Sequence, residues 1–499
     1  MQVSHITDAL QTPAMWRLAQ FIRQHQHQWQ AAESAPDLER FEQELHDHIM
    51  ALERDLLGDE LSRYDVTADE VTVNGVVYRQ CLESSDTYLT SAGPVSVTRH
   101  LYRPAGRGSK SICPLELRAG IVDGLWTPRA ARQGAFVMAH LTPREGAELF
   151  GEFGGMQPSR STLDRLPKTL STHWEAHRAD WEESLRASEP VPVAAAVLAI
   201  SLDGVMAPMA TAAADEEVEG ATAPPAAPEP KSPGTAPSAS SGKRHYREAS
   251  CGTATLYGEE GERLSTVRYG RMPEYKKATL CGQLEAECQS ILAVRPDLKV
   301  VKLADGAEEN WRFLDHLDLG LSPDDLARVV QISILDFYHA AEHLGVACDV
   351  IWGAGSVQSK AEFARLRILL KEDDAGVDKV IGRLRYRARQ MRGRKRDQLE
   401  KELTYFRNQR ARMRYAQYLR DGLPIGSGVV EAACKTLVTH RLKRSGMRWE
   451  IAGGQAILTL RSVIQSERWK GAWSLLRDDF RQSVKVVTAD GPEALDPAA

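Results

Sequence analysis

The sequence predicts an α/β protein preceded by an α+β region, and three observations carry that reading. Short apolar runs alternate with segments of helical period through 191–345. Much earlier, VTVNGVVYRQ places Asn74-Gly75 between two β-rich runs, a hairpin signal. Apolar residues make up 42% of the 499 positions and charged residues 26%, a globular profile with room for two to four domains.

Taken in order, residues 1–65 read as helical, with Leu, Phe and Ile at helical spacing between Phe41 and Leu57. A region at 66–190 holds the hairpin (70–103) and then helices from about 126 to 185. Within it, LTPREGAELFGEFGG opens on Pro143 and closes on glycines, and PSRSTLDRL restarts a helix with Ser159 or Ser161 as its cap. Two short helices joined by a Gly-rich turn have the form of a helix-turn-helix.

From 191 the character changes. VPVAAAVLAISLDG reads as a buried strand ending at Asp203, and 247–257 and 263–269 as strands joined by GEEGE. A helix follows with Leu280, Leu284, Cys288, Ile291 and Leu292 on one stripe. Next come a strand at 299–303 ending at Asp305-Gly306, a helix at 311–317, and a strand at 331–335 running into DFYHAAEHL. Three strands, a helix, a strand, a helix and a strand is the order of a ribonuclease-H-like core, whose first part is 191–345. Inside it, 210–241 contains ATAPPAAPEPKSPGTAPSASSG and reads as a disordered insertion, having too little apolar surface to offset its ordering entropy. Residues 346–420 read as a helical basic insertion, 421–488 as the second part of the core, and 489–499 as a frayed tail.

Composition narrows the function classes. The net charge of −5 does not announce a nucleic-acid partner, so any basic surface must be local. Seven cysteines with no CxxC pair argue against a disulfide framework or a zinc ribbon and fit a reducing compartment; Cys81 and Cys113 are expected to be buried thiols. The N-terminus lacks the form of a signal peptide, and the apolar stretch at 191–202 is interrupted by Pro192 and too short to span a bilayer. A cytoplasmic protein with no membrane partner is expected.

Asp203 and Asp305 each follow an apolar strand and precede a glycine, where an open sheet displays functional side chains. Asp-Gly is also a common turn dipeptide, which accounts for either site taken alone. Two in this order suggest the paired carboxylates that hard divalent cations need. Glu431, in PIGSGVVEAACKTLV, falls in the first turn of a helix, where a glutamate also suits the helix dipole. Basic residues concentrate between Ile381 and Arg420: Arg383, Arg385, Arg387, Arg389, Arg392, Arg394, Lys395, Arg396, Lys401, Arg407, Arg410, Arg412, Arg414 and Arg420. They face only Asp397, Glu400 and Glu402, a bias that favours phosphate contact over a solvated helix face. Lys435, Arg441, Lys443, Arg444 and Arg448 form a second cluster after Glu431. In the helix-turn-helix, Arg160, Ser161, Thr162 and Arg165 are the candidate DNA contacts.

SLDG, ADGAEENW, ILDFYHAAEHL and GSGVVEAACKTLVTHRLKRSGMRW resemble bacterial insertion-sequence transposases of the DDE class, above all the ISKra group and its Mutator-like relatives. The resemblance covers 197–473 and implies metal-dependent DNA cleavage and strand transfer at insertion-sequence ends. It makes Asp203, Asp305 and Glu431 the catalytic, metal-holding carboxylates for two Mg²⁺ ions, with Mn²⁺ as a substitute. It matches Asp336 and His339 to the (C/D)xxH signature. A histidine at a strand-to-helix junction is commonly a satisfied structural group; the resemblance implies that His339 positions the scissile phosphate or orients Asp305 or Asp336. The expected partners are double-stranded DNA (terminal inverted repeats and target) and further copies of the chain in a homo-oligomer. The alternatives are a metal-dependent nuclease without strand transfer and a domesticated, transposase-derived DNA-binding protein.

Overall fold

Local signals set the ends of many elements. The computed structural model describes residues 12–31, 37–106, 110–210, 245–488 and 491–494, which divide into two compact units, 1–185 with 467–499 and 186–466. Except for Ala210, the Pro-rich segment at 210–241 lies outside the described residues.

The first unit begins with α1 (Pro13–Ala31) and α2 (Leu38–Arg63), whose N-cap Asp37 accepts from the amides of Glu39 and Arg40. Strands β1 (Glu70–Val73) and β2 (Val76–Thr90) meet at Asn74 and Gly75, with φ of 50° and 79°, the left-handed pair that a two-residue hairpin turn requires. After β3 (Gly93–Pro104) come α3 (Pro114–Ala119), α4 (Pro128–His140), α5 (Pro143–Phe153) and α6 (Arg160–Ser188). Thr142 and Glu145 form a capping box on α5, and Ser159 Oγ accepts the Thr162 amide at the start of α6. The second helix of the expected helix-turn-helix is therefore not short: α6 has 29 residues.

Two corrections concern this unit. The C-terminal segment, expected to complete the catalytic core and then fray, instead adds α18 (Trp469–Phe480), β9 (Lys485–Thr488) and β10 (Gly491–Ala494) to the first unit. Its sheet runs β10-β9-β1-β2-β3, and Val484 is buried with Val66, Val71, Val73 and Tyr102. A β-edge alone does not announce its partner in sequence, because backbone bonds are type-independent. Cys81, expected to be buried, is exposed on β2, while Cys113 is buried and all seven thiols are free.

The second unit is built on β4 (Val197–Met209), β5 (His245–Tyr257), β6 (Arg263–Arg271), β7 (Lys299–Ala304) and β8 (Gln331–Leu335), in the order β6-β5-β4-β7-β8. β4, β5 and β6 pair antiparallel; β7 lies parallel to β4, and β8 to β7. Helix α7 (Ala278–Val294) buries the expected stripe of Leu280, Leu284, Cys288, Ile291 and Leu292. Helices α8 (Glu308–Asp315) and α9 (Pro323–Arg328) link β7 to β8. No helix among the described residues is long and apolar enough to cross a membrane.

Strand β4 does not end at Asp203. It continues to Met209, paired with β5 throughout, so Asp203-Gly204 is not a turn. The helical stretch after β8 comprises α10 (Phe337–Trp352), α11 (Val357–Glu372), α12 (Gly376–Arg389), α13 (Gly393–Asn408) and α14 (Tyr415–Arg420). Its Leu366, Val380, Leu384, Leu403 and Phe406 join one continuous core with Leu198, Ile200, Val301 and Leu303 of the sheet. This helical region thus packs on the sheet through one shared core.

Val484→Ala should lower stability by about 2 kcal/mol, the cost of removing two buried methyl groups and leaving a cavity. Urea unfolding measures this; an unchanged midpoint would mean that the C-terminal strand is not part of the N-terminal core.

Candidate functional site

The pairing of β4 with β7 runs in parallel register from Val197↔Lys299 to Ser201↔Leu303. Two residues beyond that last pair stand Asp203 on one strand and Asp305 on the other. Adjacent strands lie about 4.8 Å apart and side chains repeat with period two, so the register brings these carboxylates to one level on one face. There the chains part: β7 stops at Ala304, while β4 continues alongside β5. Asp305 Oδ1 accepts from the Ala307 amide (3.1 Å) and Asn310 Nδ2 (3.2 Å), and its carbonyl accepts from Trp311 Nε1 (2.5 Å). These bonds fix the turn that opens α8.

Glu431 arrives from a distant part of the chain. It lies on α15 (Gly428–Ala433), which runs on through a π-helical stretch, Cys434–Thr439, and the short α16 (His440–Leu442). The wider π turn leaves carbonyls to be satisfied, and the buried Arg461 of α17 (Ile451–Gln465) donates to those of Thr436 and Leu437. Asp336, fully buried, accepts the Ser427 amide on Oδ2 and the His339 amide (2.6 Å) on Oδ1. Ser427 Oγ in turn donates to Glu431 Oε1 at 2.8 Å. Cys434, three residues beyond Glu431 and therefore on the same helical face, places Sγ 3.7 Å from Asp203 Oδ2. The helix bearing Glu431 is thereby seated against β4, with Val430, Ala433 and Cys434 packed on Ala207, Ala249 and Cys251.

The electrostatics match this convergence. Burial pushes the Asp203 carboxyl above its ordinary range, and the charges of Asp305 and Glu431 add to the rise; hydrogen bonds from the Gly204 amide and Cys434 oppose it. The Cys434 thiol is itself pushed far up, by its contact with Cys251, by burial and by Asp203, so it stays a proton donor to Asp203. Among the described residues none of the three carboxylates has a Lys or Arg partner. The all-oxygen donor set suits a hard divalent cation. A closed cage is not preformed: no three His, Cys, Asp or Glu among the described residues are placed to hold a metal ion, and Glu431 is turned to Ser427.

Several residues around the site had no individual signal in the sequence. Lys277, buried, joins Glu248 (2.9 Å) and Asn310 Oδ1 (3.0 Å), and Asn310 reaches both Asp305 and the Leu202 carbonyl. The Glu248 carboxylate lies over Gly204, where a Cβ would come within 2.2 Å of Oε1. Only Asn310 could have been suspected, from its place in ADGAEENW. His339 is half-buried, its Nδ1 3.6 Å from Glu342, with its ring 5.1 Å from His343.

The basic residues separate into two groups. Arg383 pairs with Glu362, Arg387 lies over Trp352 at 5.3 Å, Arg407 and Arg410 pair with Glu400 and Asp378, Arg412 with Asp315, and Arg420 with Asp374. Arg385, Arg389, Arg392, Arg394, Lys395, Arg396, Lys401 and Arg414 are exposed with no internal partner among the described residues. The sequence-based expectation of a uniform phosphate-facing run is corrected accordingly: Glu362, Asp378, Asp315 and Asp374 lie outside the run, and Glu400 alone of these partners lies within it. Likewise Arg441 is buried over Trp449, whereas Lys435, Lys443 and Arg448 are exposed and Arg444 half-exposed. In the N-terminal unit Arg165 pairs with Asp123 and Arg160 is exposed.

No family model matches the chain, and no curated protein does. Among solved structures, a chain of the Drosophila P element transposase strand transfer complex aligns over 71% of this chain and 81% of its own at 12% identity, with a TM-score of 0.24, too low to carry an argument.

Because Asp203 titrates above its ordinary value, the folded state bears a cost at neutral pH, where both folded and unfolded chains are ionised there. Below the unfolded value neither is charged and the cost vanishes. Asp203→Asn should therefore melt above the parent at about pH 8, with the gap closing as pH falls to about 4. A variant melting at or below the parent at the higher pH would show that Asp203 is not burdened by its neighbours.

Proposed function

We propose that this chain is a DDE-type transposase, with Asp203, Asp305 and Glu431 as the carboxylates of a phosphodiester-transfer site. The observation that carries the reading is the parallel register that levels Asp203 with Asp305, joined to the Cys434 contact that seats the Glu431 helix beside them. The strand order, with the first three strands antiparallel and the next two parallel, supports a ribonuclease-H-like core. The motif resemblance to the ISKra group and its Mutator-like relatives points the same way.

In this reading Asp203 and Asp305 would hold Mg²⁺, or Mn²⁺ in its place, with Glu431 completing the set. Bound there, such ions would supply activation of the attacking oxygen and stabilisation of the leaving oxygen. The protein's own part is orientation. Asn310 and the Ala307 amide hold Asp305, the Cys434 thiol and the Gly204 amide hold Asp203, and Ser427 holds Glu431. No protein nucleophile is called for, since water and then the freed 3′-hydroxyl of DNA serve in turn. The unpaired cations at the α12–α13 turn would bind duplex phosphates, and Arg160 at the start of α6 would contribute to end recognition. Joining two transposon ends calls for a homo-oligomer, and action on chromosomal DNA for the cytoplasm.

Asp203→Asn, Asp305→Asn and Glu431→Gln should each retain binding to duplexes carrying the repeats that flank the reading frame, while cleavage and joining fall by orders of magnitude. Normal rates in Mg²⁺ for any one variant would remove that residue from the site. Cleavage without strand transfer in the parent would favour the nuclease reading. His339→Ala should be milder than these three if His339 positions the phosphate.

Replacing Arg385, Arg389, Arg394, Lys395 and Arg396 together with Ala should weaken all duplexes alike. The slope of log affinity against log salt should become shallower by up to about 4.5, near 0.9 for each phosphate no longer neutralised. Arg383→Ala, which breaks an internal ion pair, should leave that slope unchanged; the opposite pattern would make the exposed group a solvated helix face.

A further inference from the structure

Tyr405 presents a buried hydroxyl that has no hydrogen-bond partner among the described residues. It stands on α13 against Gly306, the residue after Asp305. A Cβ built on Gly306 would fall 2.6 Å from Tyr405 Cε2 and 3.2 Å from its Oη. The absence of a side chain at 306 thus creates the space that the phenol occupies. From the other side the ring is held by His343, stacked at 3.7 Å between centroids and 19° between planes. His343 is fixed in its turn by Glu402, whose Oε2 lies 2.6 Å from Nδ1. His339 borders the same group, its ring 6.3 Å from that of Tyr405.

A phenylalanine would fill this space equally well and would bury no unpaired hydroxyl, which weakens the folded state. Buried polar atoms are nearly always satisfied, so an orphaned donor beside a carboxylate cluster indicates an acceptor that comes from outside the chain. Tyr405 Oη makes no hydrogen bond to Asp305, whose Oδ1 takes the Ala307 amide and Asn310. The acceptor that belongs at such a cluster is an anionic oxygen of the group being transferred. We propose that Tyr405 is a further catalytic residue, donating a hydrogen bond from Oη to a non-bridging oxygen of the scissile phosphate, with His343 and Glu402 as positioning residues. This rests on the reading of Asp203, Asp305 and Glu431 as a phosphodiester-transfer site. The tyrosine remains protonated and forms no covalent bond. Its hydrogen bond strengthens as charge gathers on the equatorial oxygens, which lowers the barrier more than it tightens binding.

The test is Tyr405→Phe in the full chain. Its thermal midpoint should equal or exceed that of the parent, while kcat for cleavage in Mg²⁺ falls about 10- to 100-fold with KM little changed. A second measurement needs no turnover: ¹⁹F spectra of the 3-fluorotyrosine-labelled chain, titrated with inorganic phosphate in Mg²⁺. The resonance missing from Tyr405→Phe should shift in the parent. Cleavage at the parental rate by Tyr405→Phe, or a resonance unmoved at saturating phosphate, would overturn the proposal. If cleavage needs the three carboxylates but not Tyr405, this inference falls and the transposase reading stands. If the resonance shifts while no carboxylate variant alters cleavage, the phosphate contact stands and the transposase reading falls.

Discussion

The arrangement of the second unit depends on one buried carboxylate. Asp336 is wholly removed from solvent, and both of its oxygens are engaged by backbone amides, His339 on one side and Ser427 on the other. An ionised group without such partners would be too costly to bury; with two amide donors it becomes a rigid junction. It caps α10 at the point where β8 ends, and it draws back a loop that is 91 residues away in sequence. The Phe337 amide adds a second tie, to the Ile425 carbonyl at 2.9 Å. The whole helical stretch from α10 to α14 is closed off between those anchors. The segment 421–427 has no helix or strand of its own, so these two ties lead the chain back to the β4 contacts that seat the Glu431 helix.

What the sequence could reveal follows from how local each determinant is. The Asn74-Gly75 turn, the stripe on α7 and the strand Gln331–Leu335 were all legible, because each is written in a few neighbouring residues. Asp203 and Asp305 could be singled out as strand-associated carboxylates, yet the expectation that Asp203 ends its strand fails. Pairing with β5 carries β4 past it, and no local signal distinguishes a strand that loses one neighbour from a strand that ends. Long-range features were out of reach for the same cause. Val484 fills a core built from residues some 400 positions earlier, and the acids that neutralise Arg383, Arg410 and Arg420 lie 21 to 46 positions away, outside the basic run. A count of charges along the chain cannot separate an arginine that closes an ion pair from one left for a ligand; only the fold does that.

That separation bears on how the two sets of basic residues can act. Cations at the α12–α13 turn, which form no ion pair among the described residues, leave their field to a polyanion. Arg387 and Arg412 instead lie over Trp352 and Trp311, where the guanidinium contributes packing area as well as charge. The helical region thus performs two tasks with one residue type: some arginines close ion pairs or cover tryptophans, and others stand exposed without an ion-pair partner among the described residues.

The acidic residues divide in the same manner, and here the contrast separates scaffold from site. Glu248 is neutralised by Lys277, Glu402 is joined to His343, and Asp336 is saturated by amides. These are acids whose demands the fold has met. Asp203 is burdened by burial and by two further acids, yet none of Asp203, Asp305 and Glu431 receives a cation from the described residues. Lys277 approaches to within one side chain of Asp305 and stops at Asn310, which passes on a neutral N–H in place of an ammonium. A chain selected only for stability would gain by letting that lysine neutralise the cluster directly. Interposing Asn310 fixes Asp305 in position while leaving its negative charge unquenched, which is the condition a cation-binding carboxylate requires.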